Sequence, residues 1–211
     1  DMVIHNAAAV NYVASYDALR GTNVEGTREL LRFACDRQVK EFHFISSTVI
    51  FGWTAAPEVR ETDRNAAMAN LDFGYAQSKW VAEQLVLDAR HDGARTYVYR
   101  PSFISASTAG IASRDDIVIR LLAFMINKRM AVNALNQVSF LPADLVAHNI
   151  ASIIRDPHRP AGTVHVTADE YYNLMDVTRI MTRAYGYEFE YFDIPEFVTE
   201  LVSGPLRLLP D

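Results

Sequence analysis

The stretch Glu41-Phe42-His43-Phe44-Ile45-Ser46-Ser47 is the best starting point for predicting the fold. It is apolar enough along its length to form a strand buried on both faces, which is typical of a parallel sheet. Upstream, residues 1–5 read as the end of another buried strand, and residues 16–37 as a helix with a periodic apolar face. Downstream, a helix is predicted over residues 75–86 and a strand over residues 95–100. This alternation predicts an α/β protein with a parallel sheet and helices on both faces.

The pattern changes after Pro101. Residues 102–115 are rich in Ser, Thr and Gly and are predicted to form a loop. Asn173 is expected to cap a later helix, and Gly186 to end it. We interpret the region after Pro101 as a lid or substrate lobe that does not fold independently. Within it, the pattern predicts helices over residues 116–127, 142–155, 173–185 and 195–202, and strands over residues 163–167 and 188–192.

The composition restricts the classes of protein that this chain can represent. Its 211 residues carry a formal net charge of -6 and no basic run, which argues against nucleic-acid binding as the main role. No apolar run reaches membrane-spanning length and no signal-peptide pattern is present, so we expect a cytoplasmic protein without membrane contact. The histidines show no metal-ligand spacing, and no metal site is predicted. Cys35 lies among apolar helical positions and is predicted to be a buried thiol in a reducing compartment.

Tyr75 and Lys79 are the candidate proton-transfer pair. They lie four residues apart in the predicted helix, so both side chains project from one helix face. A free tyrosine has a pKa near ~10, and a nearby ammonium favours the phenolate and lowers that pKa. The pair therefore predicts a proton relay beside a reacting carbonyl or alcohol. The alternative interpretation is a surface helix with one lysine that reaches back to solvent.

Polar or small side chains follow three of the predicted strands. Ser46-Ser47-Thr48 ends one strand, where hydroxyls point into the crevice that binds ligands in open α/β sheets. The small side chains of His5-Asn6-Ala7-Ala8 allow a flat ligand to approach the backbone at an earlier strand end. Tyr99-Arg100-Pro101-Ser102-Phe103-Ile104 follows the third strand, where Pro101 directs the chain out of the sheet. Each stretch also fits an ordinary turn, a packed alanine-rich loop or a plain strand terminator.

The order of these features resembles the extended short-chain dehydrogenase/reductase family. The run Gly74-Tyr75-Ala76-Gln77-Ser78-Lys79-Trp80-Val81-Ala82-Glu83 is similar, more closely, to the signature of thioester reductase domains. Two further runs share this similarity: His5-Asn6-Ala7-Ala8-Ala9-Val10-Asn11 and Leu19-Arg20-Gly21-Thr22-Asn23-Val24-Glu25-Gly26-Thr27. Such domains end some nonribosomal peptide and polyketide synthases, carboxylic acid reductases and aminoadipate reductases. The resemblance covers residues 1 to about 168.

The resemblance implies a role for each matching residue. Tyr75 would be the catalytic acid, and Lys79 would lower its pKa and hold the nicotinamide ribose. Ser47 best matches the family's catalytic Ser/Thr, with Thr48 as the nearby alternative. Asn23 matches a family asparagine near the site, or is simply a polar residue on a helix face. The resemblance implies that the cofactor is lined by His5, Asn6, Ala7, Ala8, Ser46, Tyr75, Lys79, Pro101, Ser102 and Ile104.

One departure from the family is large. Its members open with a strand, a glycine-rich turn and a helix that holds the pyrophosphate, whereas no Gly-x-Gly-x-x-Gly or related run occurs in this chain. We therefore expect one incomplete reductase domain with a partial Rossmann-type sheet and a small C-terminal substrate lobe. Residues 1–101 would form the second half of the dinucleotide-binding fold, and residues 102–211 mainly the lobe with returning sheet elements. We expect the chain alone to bind cofactor weakly or not at all.

The function implied by the resemblance is NADPH-dependent reduction of a thioester held by an acyl or peptidyl carrier protein on phosphopantetheine. The product is an aldehyde or, after a second reduction, an alcohol. NADH is not excluded, because the residues that read the ribose 2′ position are not among those matched. Two alternatives stay open at this point. One is another extended short-chain enzyme, such as a nucleotide-sugar epimerase or dehydratase or a hydroxysteroid-type dehydrogenase, and the other is an inactive fragment or docking module.

Overall fold

The structure is a computed structural model that describes residues 1–52, 54, 56, 58–65, 67–113, 116–134, 137–159 and 162–203. The strands are β1 (Met2–His5), β2 (Glu41–Ile45), β3 (Thr96–Pro101), β4 (Phe103–Ser105), β5 (Met130–Val132), β6 (Phe140–Pro142), β7 (Thr163–Val166) and β8 (Glu190–Phe192). The α-helices are α1 (Tyr16–Arg20), α2 (Gly26–Cys35), α3 (Gly74–His91), α4 (Ile117–Lys128), α5 (Ala143–Arg155), α6 (Leu174–Tyr185) and α7 (Ile194–Ser203). A π-helical segment (Gly21–Glu25) and two 3₁₀ turns (Thr48–Phe51 and Met68–Asn70) complete the described elements.

A parallel sheet forms the centre of the first of two compact units, which comprises Asp1–Ser102 and Ile150–Val166. Its strand order is β1-β2-β3-β7, and all three pairings are parallel. The middle three residues of β2 are fully covered, as expected for a strand that is buried on both faces. The predicted α/β fold class is therefore confirmed. Strand β7 returns to the sheet from the later part of the sequence.

Helices α2 and α3 cover one face of this sheet. Phe42 and Phe44 of β2 and Val98 of β3 point to that face and are at most 1% exposed. Leu31 from α2 and Val86 from α3 pack against them in one apolar cluster. Because each of these side chains contributes about 1.5–3 kcal/mol when buried, the cluster fixes α3 firmly above β2 and β3.

The predicted helix over residues 16–37 is observed as α1, the π-helical segment and α2, which follow one another without a break. The π-helical segment directs Asn23 and Val24 inward, and both are at most 2% exposed. The prediction that Cys35 is a buried core thiol is wrong, because its side chain is exposed. The buried stripe of α2 consists of Thr27, Leu31 and Ala34, and Cys35 lies beyond the edge of that stripe at the helix end.

The second unit comprises Phe103–Asn149 and the residues from Thr167 onward. It contains two small parallel pairs, β4 with β6 and β5 with β8. Its core packs α4, β5 and α7 together around Met125, Val132 and Phe197. The predicted loop over residues 102–115 contains β4, and strands β5 and β6 were not predicted. Residues 114 and 115 of that loop lie outside the described residues.

Helix α6 begins and ends where the sequence predicts. Asn173 and Asp176 form a capping box, and Gly186 closes the helix in the left-handed conformation. The other helices of this unit match their predicted bounds within two residues, except that Pro142 ends β6 and does not begin α5. Within the described part of the chain, no helix is both long and apolar enough to span a membrane.

Candidate active site

Helix α3 begins in close contact with the loop that precedes α1. A Cβ atom on Gly74 would lie 2.4 Å from Ser15 C and Tyr16 N and 2.5 Å from the Ala14 carbonyl oxygen. Such distances are far inside van der Waals contact, so only glycine allows the helix to start here. This close approach positions Tyr75, the next residue, against the loop at residues 11–15.

Lys79 lies one turn after Tyr75 and is 3% exposed. Its Nζ donates a hydrogen bond of 2.6 Å to the Ile45 carbonyl, at the carboxyl end of β2. The ammonium also lies 4.3 Å from the centroid of the Phe44 ring. Burial lowers the pKa of Lys79 to about 8, and the Glu83 carboxylate opposes this change. The alternative interpretation of Lys79 as a solvated surface lysine is therefore wrong.

Tyr75 is also buried, at 8% exposure. Its ring lies 5.2 Å from that of Tyr12, which in turn lies 5.1 Å from Phe73. Burial raises the pKa of Tyr75, and Tyr12 raises it further. The prediction that Lys79 lowers this pKa is therefore wrong for this structure, since the Lys79 ammonium donates to the Ile45 carbonyl and burial dominates. At neutral pH, Tyr75 accordingly keeps its proton and can donate it in a hydrogen bond.

Ser47 and Thr48 follow β2, in the turn against which α3 packs. The Ser47 hydroxyl caps the 3₁₀ turn by accepting from the Val49 N–H at 3.3 Å. Both Ser47 and Thr48 are partly exposed, which leaves their hydroxyls accessible. Ser46 differs from them, because it is 4% exposed and its hydroxyl donates to Glu83 Oε2 at 2.5 Å.

His5 ends β1 and is 4% exposed. Its Nε2 lies 2.9 Å from the Thr27 hydroxyl, and that hydroxyl donates its own hydrogen to the Asn23 carbonyl at 2.6 Å. The Thr27 oxygen must therefore accept from His5, which places the His5 hydrogen on Nε2. The pKa of His5 is lowered to about 4, chiefly by burial and then by the Lys79 charge. His5 Nδ1 is thus a neutral acceptor, and among the described residues it has no hydrogen-bond partner.

Asn23 joins three parts of the site. Its Nδ2 donates to the Ala9 carbonyl at 3.0 Å and to the Ser78 hydroxyl at 2.9 Å, while its Oδ1 accepts from the Ala9 N–H at 2.7 Å. Ser78 in turn donates to the Tyr75 carbonyl at 2.8 Å. Asn23 is therefore not simply a polar residue on a helix face, because its amide is buried and joins the loop after β1 to α3.

The remaining predicted residues occupy different surroundings. Asn6 and Ala7 are exposed and Ala8 is partly exposed, at the carboxyl end of β1. Pro101 is buried as the last residue of β3, and the N–H of Ser102 donates to the Val166 carbonyl at 3.2 Å. Ile104 lies in β4 of the second unit.

A buried ion pair between Glu83 and Arg100 was not predicted. Glu83 is fully covered and Arg100 is 1% exposed, and Arg100 Nη2 donates to Glu83 Oε1 at 2.7 Å. Removing either partner would leave the other charge buried and unpaired, at a cost of about 3–5 kcal/mol, so each residue depends on the other. The signal in the sequence is spacing: Glu83 follows Lys79 by the same four residues that separate Lys79 from Tyr75.

The described residues fit the nicotinamide end of a dinucleotide cofactor. The unpartnered acceptor His5 Nδ1, the buried ammonium of Lys79 and the accessible backbone at Ala7 all lie in the first unit, at or beside the carboxyl ends of β1 and β2. The residues that would cradle the pyrophosphate on a glycine-rich turn are not present in this sequence.

The parallel α/β sheet is of the Rossmann type, with Tyr75 and Lys79 buried one helical turn apart on α3 and the Lys79 ammonium on the carbonyl that ends a central strand. The NAD-binding family described as male sterility protein matches residues 1–150. The chain belongs to this family.

Individual relatives and structures agree with this assignment. The chain is 31% identical over 202 residues to a linear gramicidin synthase subunit of Brevibacillus parabrevis, covering 94% of this chain. It is 33% identical over 184 residues to the L-2-aminoadipate reductase large subunit of Penicillium chrysogenum, covering 79% of this chain. The terminal R domain from the myxalamid PKS-NRPS biosynthetic pathway superposes with a TM-score of 0.87 at 29% identity, over 99% of this chain.

The chain spans only part of each of these proteins. It covers 4% of the gramicidin synthase subunit, 13% of the aminoadipate reductase subunit and 55% of the R-domain chain. Both named relatives are therefore much longer than the segment that they share with this chain.

Proposed function

We propose that this chain supplies the proton-transfer half of an NADPH-dependent reductase that acts on a thioester bound to a carrier protein. The observation that carries the proposal is the pair of Tyr75 and Lys79, buried together on α3, with the Lys79 ammonium on the Ile45 carbonyl at the end of β2. The similarity to a peptide synthase subunit and to an aminoadipate reductase supports a thioester substrate. The carrier protein would deliver this thioester on a phosphopantetheine arm.

In the proposed reaction, a reduced nicotinamide supplies the hydride that adds to the thioester carbonyl carbon. Tyr75 donates a hydrogen bond to the carbonyl oxygen and then transfers its proton as negative charge develops there. Ser47 offers a second hydrogen bond to the same oxygen, with Thr48 as the alternative. Lys79, one turn further along α3, would hold the nicotinamide ribose. The hydroxyl proton of the resulting hemithioacetal then passes to the sulfur as the carbon–sulfur bond breaks, which releases an aldehyde and the free thiol. Solvent returns a proton to Tyr75.

His5, Asn6, Ala7 and Ala8 are proposed to line the cofactor, as are Pro101, Ser102 and Ile104. Ser46 is proposed to support the site without binding the substrate oxygen, because its hydroxyl already donates to the Glu83 carboxylate. Asn23 also has a supporting role, because both N–H donors of its amide are already used by Ala9 and Ser78.

The assay that tests this proposal compares substrates. The polypeptide that carries this chain is incubated with NADPH and an acyl thioester, on a carrier protein or on coenzyme A, and the aldehyde is trapped as a hydrazone. Nucleotide sugars with NAD are the comparison substrates. We expect NADPH oxidation with equal amounts of aldehyde and free thiol. Turnover of a nucleotide sugar without thioester reduction would overturn the thioester assignment and favour the epimerase or dehydratase class.

A further inference from the structure

Glu83 continues the row of functional side chains along α3. It lies four residues after Lys79 and eight after Tyr75, so all three project from one side of the helix. It is fully covered by its surroundings. A carboxylate in such a place is retained only when its oxygens are satisfied by charged or strong hydrogen-bond donors.

Both oxygens of Glu83 are satisfied, and each by a different strand. Oε2 accepts from the hydroxyl of Ser46 at 2.5 Å, at the end of β2. Oε1 accepts from Arg100 Nη2 at 2.7 Å, and Arg100 Nε lies 3.2 and 3.3 Å from the two oxygens. The carboxylate thus fixes α3 to the strand that leads directly into Ser47.

Arg100 extends this connection to the segment after Ser47. Its Nη1 donates to the carbonyls of Glu61 at 3.3 Å and Asp63 at 3.2 Å, and its guanidinium lies 4.9 Å from the centroid of the Phe51 ring. The side chain of Glu61 also accepts from the His165 N–H of β7 at 2.8 Å. The ion pair therefore anchors both the 3₁₀ turn after Ser47 and the loop that follows it.

We propose that Glu83 is a positioning residue of the reductase site, which fixes the Ser46–Ser47 end of β2 against the helix that carries Tyr75 and Lys79. Arg100 serves as its counter-ion and extends the same support to the loop. A buried ion pair is no better for stability than well-packed apolar side chains, so its geometry is what makes it useful here. Groups that react must be held by neighbours whose own conformations are locked. This inference rests on the proposed function for the identity of the reaction.

The proposal has an electrostatic consequence for Lys79. The groups around this ammonium are Glu83 on its own helix, His5 of β1, and the Phe44 ring and Ile45 carbonyl of β2. Among these, Glu83 carries the negative charge that raises the pKa of Lys79 against burial. Replacing Glu83 with glutamine would leave Arg100 positive nearby, so the pKa of Lys79 should fall further below about 8.

The first experiment measures turnover of the reductase that carries this chain, for Glu83→Gln, Ser46→Ala and the control Asp88→Asn. Asp88 is an exposed carboxylate on the same helix. A displacement of about 1 Å at a reacting group costs about 100-fold in rate, so we expect kcat to fall by about that factor in Glu83→Gln. KM for the thioester should change by less than about 3-fold, because the substrate does not touch Glu83. Ser46→Ala should lower kcat as well, and Asp88→Asn should not.

The second experiment does not depend on turnover. Lysine labelled with ¹³C at Cε gives one signal per lysine, and the Lys79 signal is assigned by its loss in Lys79→Met. We expect its titration midpoint to move to lower pH in Glu83→Gln and to stay unchanged in Ser46→Ala and Asp88→Asn. An unmoved midpoint in Glu83→Gln would overturn the electrostatic part of the proposal.

Circular dichroism establishes first that each variant is folded. If Glu83→Gln does not fold, the Ser46→Ala variant tests the positioning role. It keeps the ion pair between Glu83 and Arg100 and removes only the hydrogen bond from Glu83 to the end of β2. Wild-type kcat in folded Ser46→Ala would then overturn the positioning role. A wild-type protein that reduces no thioester would count against the proposed function alone. The kcat comparison would then use the nucleotide sugar that the protein turns over. If the protein turns over neither substrate, the lysine titration tests the electrostatic link between Glu83 and Lys79, and an unmoved midpoint would overturn it.

Discussion

Replacement of Lys79 with methionine is expected to stabilise this protein while abolishing its turnover. Burial places the pKa of Lys79 at about 8, against 10.5 for an unburied lysine. At about 1.4 kcal/mol per pKa unit, this gap corresponds to roughly 3 kcal/mol of instability that is fully present below pH 8. Methionine removes the charge but leaves the Ile45 carbonyl without its donor, which costs about 1 kcal/mol. The net gain in the free energy of unfolding near pH 7 is therefore about 2 kcal/mol.

The pH dependence of this gain has a definite sign. Between pH 8 and 10.5, the unfolded chain binds more protons at Lys79 than the folded protein does, so wild-type stability rises with pH in this range. The methionine variant has no such group. The difference in unfolding free energy between variant and wild type should therefore fall from about 2 kcal/mol near pH 7 to zero or below near pH 10.

Urea denaturation followed by circular dichroism at pH 7, 8, 9 and 10, without added cofactor, measures this difference. Lys128→Met is the matched control, because Lys128 is exposed at the end of α4, and surface substitutions change stability by no more than about 0.5 kcal/mol. A Lys79→Met variant that is less stable than wild type at pH 7, with a difference that does not vary with pH, would refute the reasoning.

Three further predictions concern the packing around the site. Gly74→Ala should lower the free energy of unfolding by about 3 kcal/mol, because its Cβ would overlap backbone atoms at 2.4 Å. Gly21→Ala is its control: nothing lies within 4 Å, so stability should rise by about 0.5–1 kcal/mol, and equal effects of the two substitutions would contradict the account. Since the pKa of His5 falls from 6.5 to about 4 on folding, wild-type stability should decrease as the pH drops through that range. In urea titrations, His5→Gln should flatten this decrease, and an unchanged slope would count against the neutral His5. Finally, Cys35 should react with a maleimide in the folded protein as fast as an exposed model thiol, whereas protection until unfolding would show it to be buried.

The sequence predicted the features that depend on local signals. Helix α6 illustrates this, because the cap at Asn173 and the glycine at position 186 act within one turn of the helix ends. The run of buried residues in β2 likewise predicted a parallel sheet before any strand partner was known. By contrast, β4, β5 and β6 have three residues each, which is too short to show a period of alternating burial.

The features that sequence reasoning missed depend on partners that are distant along the chain. Arg100 meets Glu83 only because β3 lies beneath α3, and nothing in the local sequence around Arg100 identifies that partner. The pKa of Tyr75 could not be predicted from its spacing to Lys79. It depends on how deeply the phenol is buried and on Tyr12, which lies in a separate loop. The spacing placed Tyr75 and Lys79 one turn apart on a helix, whereas the folded surroundings determine where the proton resides.

The central claim is that Tyr75 donates the proton in a reductase reaction, and the turnover of Tyr75→Phe tests it most directly. The measurement follows aldehyde formation from a thioester and NADPH by the polypeptide that carries this chain. Tyr185→Phe is the control, because that side chain is 72% exposed on α6. Loss of a general acid costs about 10²–10⁴-fold, so kcat should fall by that factor in Tyr75→Phe and stay unchanged in the control. A folded Tyr75→Phe variant with near-wild-type turnover would contradict the account.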